Sequence, residues 1–166
     1  FDGDEMNLHL PQNEEAEVEL MNLANIPTQI ISPANNKSII GIFQDSLLSS
    51  YLFTRPNINF NPLKAMNLLV HSDTINLNKI NFNNLNITSF DILSQIIPNF
   101  SLEYKTKKYD DSEDYKTSNN VLEIKNGKFI RGLIDKNILG DTTRGIIHRL
   151  FNDFNESTSA KFIDDF

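Results

Sequence analysis

The dipeptide Asn126-Gly127 stands between two β-prone runs, Val121–Lys125 and Phe129–Ile134. Asn-Gly tolerates positive φ at both positions, which a two-residue hairpin turn matching the strand twist demands. This is the strongest hairpin signal in the chain, and it commits the region to an antiparallel pair. Two strands alone are marginal in water and need a packing partner. Helices supply it. Asn13 precedes a helix expected over Glu14–Ala24, with Ala16, Leu20, Leu23 and Ala24 as its buried face. Asn61-Pro62 opens another that runs to about Val70, and Thr88 with Asp91 forms a capping box ahead of a helix ending at Ile97. Further helices are expected over Ile42–Phe53, over Thr143–Phe154 despite Gly145, and from Thr158 to Phe166. Leu8-His9-Leu10, Ile30-Ile31 and Phe100–Thr106 read as short strands, and Pro33-Ala34-Asn35-Asn36 as a turn. Residues 72–87 read as an irregular surface excursion or an edge strand. Short strands scattered among helices make the fold class α+β.

The 166 residues suffice for a sizeable core, burying roughly 70% of the surface of the unfolded chain. The absence of cysteine excludes disulfides, thiol chemistry and thiolate metal sites, and leaves oxygen-ligand sites open. The net charge of −7 is local. Asp2, Asp4, Glu5, Glu14, Glu15, Glu17 and Glu19 precede the first basic residue, Lys37, after which acids and bases balance. No run of 18 apolar residues indicates a membrane span, and no basic-then-apolar leader opens the chain. A chain opening on Phe1 is expected to begin inside a longer polypeptide. The wealth of asparagine and isoleucine reads as A/T-rich coding rather than function.

Asp2-Gly3-Asp4 is the sharpest chemical feature. Two carboxylates two residues apart can point to one side of an extended segment, and Gly3 lets the backbone gather them around one cation. Hard oxygen donors suit Mg²⁺. A plain acidic turn is the alternative for the tripeptide alone. An EF-hand does not fit, because its next ligand positions fall on Met6 and Leu8. His9, His71 and His148 are too scattered for a metal triad and read as packing or surface residues, with His9 organising the loop. Arg144 and Arg149, five residues apart on the expected helix, do not share one tight face. Ser46 has no partner pattern for nucleophilic catalysis. Lys105–Tyr115 reads as a solvated charged loop tip, with nucleic-acid contact as the alternative.

The longer string from Phe1 to Gln12, Phe-Asp-Gly-Asp-Glu-Met-Asn-Leu-His-Leu-Pro-Gln, resembles the catalytic signature of the largest subunit of multisubunit DNA-directed RNA polymerases. There the motif reads Asn-Ala-Asp-Phe-Asp-Gly-Asp, followed in eukaryote-like members by Glu-Met-Asn-Leu-His. The resemblance continues in order through Glu14-Glu15-Ala16, Ser32-Pro33-Ala34-Asn35-Asn36-Lys37, Gln44-Asp45-Ser46-Leu47, Thr54-Arg55, Ile96-Ile97-Pro98-Asn99, Asn126-Gly127 and Gly145-Ile146-Ile147-His148. It is specific over residues 1–55 and patchy beyond, with only length and pattern shared over 57–87 and 104–120.

The resemblance implies that Asp2 and Asp4 are catalytic and hold Mg²⁺ as the second and third of three aspartates. The first would lie two residues before Asp2 and so precede Phe1. It implies that residues 1–31 end a double-psi β-barrel and that 32–166 form a pore domain bordering the funnel, truncated at its C-terminal end. The implied activity is Mg²⁺-dependent nucleotidyl transfer from nucleoside triphosphates, working only within the full enzyme. The implied partners are the DNA template, the RNA product, the second-largest and other subunits, and a transcript-cleavage factor, with no membrane. The implied location is intracellular, in the nucleus or, for a viral member, in a cytoplasmic factory or the virion. Two other readings stay open: a structural and factor-binding module without activity, and an unrelated phosphohydrolase with an Asp-x-Asp nucleophile.

Overall fold

A computed structural model describes residues 3–72, 75, 80–82 and 85–166. The hairpin predicted at Asn126-Gly127 is its centre. Strands β6 (Val121–Lys125) and β7 (Lys128–Arg131) flank the turn, where Asn126 and Gly127 both take positive φ, 50° and 73°. A third strand, β5 (Leu102–Lys105), pairs antiparallel with the other side of β6 to give the order β5-β6-β7. The strand expected to reach Ile134 stops at Arg131. Gly132 takes φ +108°, and a Cβ there would sit 2.3 Å from the Leu122 Cα, so the chain leaves the sheet where only glycine fits.

The elements before the sheet are helix α1 (Glu14–Asn22), a 3-10 turn (Pro27–Gln29), a two-residue ribbon of β1 (Ile31–Ser32) with β2 (Lys37–Ser38), and helix α2 (Gln44–Phe53). There follow β3 (Asn59–Phe60), α3 (Pro62–Leu69), β4 (Ile87–Thr88) paired with β3, and α4 (Ser89–Ile96). After the sheet come α5 (Lys136–Leu139), α6 (Ile146–Asp153) and α7 (Glu156–Asp165). Starts follow the predicted caps. Asn13 and Asn61 accept from the backbone N–H three residues on, and Thr88 and Asp91 complete their capping box, whereas the last helix, expected from Thr158, starts at Glu156 because Asn155 caps it by accepting from Thr158 N–H. The helix expected from Thr143 starts at Ile146 instead, with Gly145 in extended conformation as its N-cap. The 72–87 excursion falls partly outside the described residues. Within it Ile80 is buried, and its end supplies β4.

The main core joins Leu122, Ile124 and Phe129 of the sheet to Leu93 and Ile97, to Ile134, Ile138 and Leu139, and to Ile146, Ile147, Leu150 and Phe162. Each such side chain fully withdrawn from water contributes about 1.5–3 kcal/mol. A smaller cluster of Ala65, Leu69, Ile80, Ile87 and Ile92 lies under α3 and α4. Long-range hydrogen bonds tie the first half to the second: Thr54 Oγ1, at the end of α2, accepts from Ile134 N–H at 3.0 Å, and Leu139 O accepts from Ile42 N–H at 2.9 Å. The architecture is α+β. No described helix is long and apolar enough to cross a membrane.

Candidate functional site

The acidic N-terminal segment reaches α1 without entering the core. Gly3 has φ +95°, Asp4, Glu5 and His9 are exposed, and no residue from 3 to 26 is buried. Asp2 lies outside the described residues. Leu8-His9-Leu10 forms no strand, contrary to expectation. Glu14, Glu15 and Glu17 occupy the first turn of α1, where the helix dipole favours negative charge.

The apolar face predicted for α1 exists but is not buried. Ala16, Leu20, Leu23 and Ala24 face His9, Leu10 and Pro11 across an open groove of about 320 Å³. Leu10 remains 81% exposed and Leu23 65%. The core is assembled from residues 30–162 and leaves α1 outside. An amphipathic stripe specifies a surface seeking cover, and three residues of extended chain are too little to cover it.

Among the described residues no group of three or more His, Asp or Glu side chains gathers as a metal site. Asp4 presents an exposed carboxylate beside a flexible glycine, and a hard oxygen donor of this type fits Mg²⁺. The histidines behave as expected of packing and surface residues. His9 and His71 are exposed, whereas His148 is buried on α6, with Nε2 3.3 Å from Asn36 Oδ1 and Nδ1 3.2 Å from Asn152 Nδ2.

The charged excursion between β5 and β6 is not a free loop. Thr106 N–H donates to Asn120 O at 3.0 Å and closes its base. Arg131 Nε donates to Glu123 Oε2 at 2.7 Å, and its Nη1 donates to the carbonyls of Tyr115 and Ser118, both at 2.9 Å. Tyr115 stands against that guanidinium, 6.0 Å from ring centre to Cζ, and donates its hydroxyl to Glu103. Glu113 accepts from Ser118 and Asn120 inside the excursion. Lys125 also pairs with Glu123, and these two cations hold its carboxyl below the usual carboxylate range, Lys125 most strongly.

The basic and aromatic residues of the excursion engage one another. Lys105 Nζ lies 4.4 Å from the Tyr109 ring centre, and Lys108 Nζ donates to the Tyr51 hydroxyl at 3.1 Å, with Arg55 over the same ring at 5.6 Å. That hydrogen bond from Lys108 lowers the Tyr51 pKa. Sequence reasoning missed both clusters. The Glu123–Arg131 pair was hidden because a plain two-residue turn sets Ile130 opposite Glu123. A bulge in β7 moves Arg131 there instead.

The sequence matches the family described as RNA polymerase Rpb1, domain 3, over residues 29–166, and that described as RNA polymerase Rpb1, domain 2, over residues 1–26. It is 33% identical over 165 residues to DNA-directed RNA polymerase subunit 1 of Acanthamoeba polyphaga mimivirus, covering 99% of this chain and 10% of that protein. It is 29% identical over 166 residues to DNA-directed RNA polymerase II subunit RPB1-B of Trypanosoma brucei brucei, covering 99% of this chain and 9% of the relative. With DNA-directed RNA polymerase subunit Rpo1N of Thermoplasma acidophilum the identity is 30% over 172 residues, covering 99% of this chain and 19% of the relative. The chain thus spans between about a tenth and a fifth of the length of the relatives it matches.

Proposed function

Since the chain belongs to the RNA polymerase Rpb1 family, we propose that it is the stretch of a DNA-directed RNA polymerase largest subunit that carries the metal-binding loop and the pore domain behind it. Residues 1–31 end the active-site barrel in this reading, and residues 32–166 form the pore domain. The observation that supports it best is the order of the match. The Asp2-Gly3-Asp4 string opens the region matched to domain 2, and the domain 3 match covers the whole packed body.

In this reading Asp2 and Asp4 hold Mg²⁺ with a third carboxylate from outside these residues. The bound ion supplies charge stabilisation for the attacking and leaving oxygens of nucleotidyl transfer. Gly3 gives the loop its turn, and the exposure of Asp4 leaves its carboxylate accessible to a nucleoside triphosphate and an RNA 3′ end on a DNA template. The open groove along α1 is covered by other parts of the enzyme, the second-largest subunit among them, and a transcript-cleavage factor approaches along the pore side. The 166 residues alone lack the rest of the machinery and are inactive.

The test is Asp2→Ala and Asp4→Ala in the assembled enzyme. Each abolishes template-directed RNA synthesis while the subunits still co-purify. Normal extension by either variant overturns the assignment.

A further inference from the structure

Strand β5 is an edge strand whose outer side can be derived residue by residue. Thr106 N–H donates to Asn120 O, directly opposite in the register that pairs Lys105 with Val121 and Leu102 with Ile124. Hydrogen-bonded and non-bonded pairs alternate along an antiparallel ladder, so Tyr104 and Leu102 also turn their backbone groups toward β6. Glu103 and Lys105 therefore turn theirs outward. Val121 agrees with this phase, since its N–H donates to Ser118 O.

The opposite edge of the sheet is closed. There α4 packs on β7, and Phe129 N–H donates to Ser94 Oγ at 2.9 Å. Beside β5 lies instead a concavity of about 560 Å³, lined by all four β5 residues together with Thr143, Arg144 and Arg149. Side chains alternate between the faces of a sheet, so a hollow touched by four consecutive residues runs along the strand's edge. Its far wall is basic. Among the described residues Arg144 is exposed and enters no ion pair, and Arg149 pairs only with the exposed Asp153, at 3.5 Å. Of the acids nearby, Glu103 is held by the Tyr115 hydroxyl, and Asp135 accepts from Asn137 N–H.

We infer that the outer edge of β5 is a docking site for an extended acidic segment of a second polypeptide, which adds to the sheet as a fourth strand. The outward N–H and C=O groups of Glu103 and Lys105 bind its backbone, and Arg144 and Arg149 select its carboxylates. The inference rests on the proposed function only for the assembly in which the partner is sought.

The experiment places a photo-crosslinker in the assembled enzyme as Thr143→p-benzoylphenylalanine and maps the joined peptide by mass spectrometry. The expected product joins this hollow to an Asp- or Glu-bearing segment of another polypeptide. Adding Arg144→Glu lowers the yield roughly tenfold, the size of one lost charge contact, while Arg144→Lys keeps most of it. Cross-links only within the same subunit, only to a second copy of it, or to nothing overturn the inference, as does a yield indifferent to Arg144→Glu. RNA synthesis by the same preparation is read separately. Lost synthesis with the cross-link intact counts against the proposed function, and a missing cross-link with normal synthesis counts against the docking edge.

Discussion

Arg131 shows how much one side chain can organise. Its guanidinium satisfies a carboxylate on the sheet and two carbonyls of the excursion together. Arg131→Met leaves the nearly buried Glu123 with one cation and strands two carbonyls, a loss of about 2 kcal/mol in urea denaturation. The pH dependence of this pairing has a definite sign. A carboxyl held low in the folded state stabilises the fold above its unfolded-state pKa, and that stabilisation disappears as pH falls through the folded value. Stability therefore drops below the ordinary carboxylate range, and Glu123→Gln flattens that part of the curve. The tyrosines split in the same way. Lys108 draws the Tyr51 phenol down, whereas burial raises Tyr104 and, with Glu103, Tyr115. In an alkaline titration followed by tyrosinate absorbance, Tyr51 ionises before Tyr104 and Tyr115, and Lys108→Met moves its ionisation up toward theirs. None of this was legible in the sequence, where Lys105–Tyr115 reads as a solvated run. Its partners lie on another strand and another helix, at distances that composition does not encode.

At the scale of elements, local chemistry was readable wherever the deciding atoms are close in sequence. The Thr88–Asp91 box, the Asn13 and Asn61 caps and the Asn-Gly turn all formed as predicted, because each is settled within four residues. Thr88→Ala removes the hydroxyl that accepts from Asp91 N–H, leaves the backbone half of the box in place, and costs about 1 kcal/mol of stability in a thermal melt. Element ends decided by tertiary contact were not readable. β7 stops short because Gly132 must pass over Leu122, and α6 starts late because Gly145 takes the extended conformation of a cap. Gly132→Ala drives its methyl into the Val121–Leu122 backbone and adds strain at positive φ, so it costs about 3 kcal/mol or more and leaves little soluble folded protein.

Across the whole molecule, stability is unevenly distributed. The segment from 3 to 26 buries nothing, while Val121, Leu122 and Ile124 are fully enclosed. Native-state hydrogen exchange of the isolated chain should find α1 amides exchanging orders of magnitude faster than those of β6. Equal protection in both would mean that α1 has found cover within the chain. The sequence showed the amphipathic stripe of α1 but not its exposure, since a stripe records that a partner is needed without saying which polypeptide provides it. For the candidate site, Asp2-Gly3-Asp4 was legible as a motif because its donors are adjacent in the chain. A site completed by groups far away in sequence leaves no such local trace.

The closed base of the excursion has a practical side. Thr106 and Asn120 meet whatever lies between them, so added length there costs the fold little, about 0.6 kcal/mol for each doubling of a flexible loop. Asp111 and Ser112 at the tip are exposed and touch neither Arg131 nor the Glu113 carboxylate. A purification tag or fluorophore inserted between them leaves the sheet, the core and the N-terminal loop undisturbed.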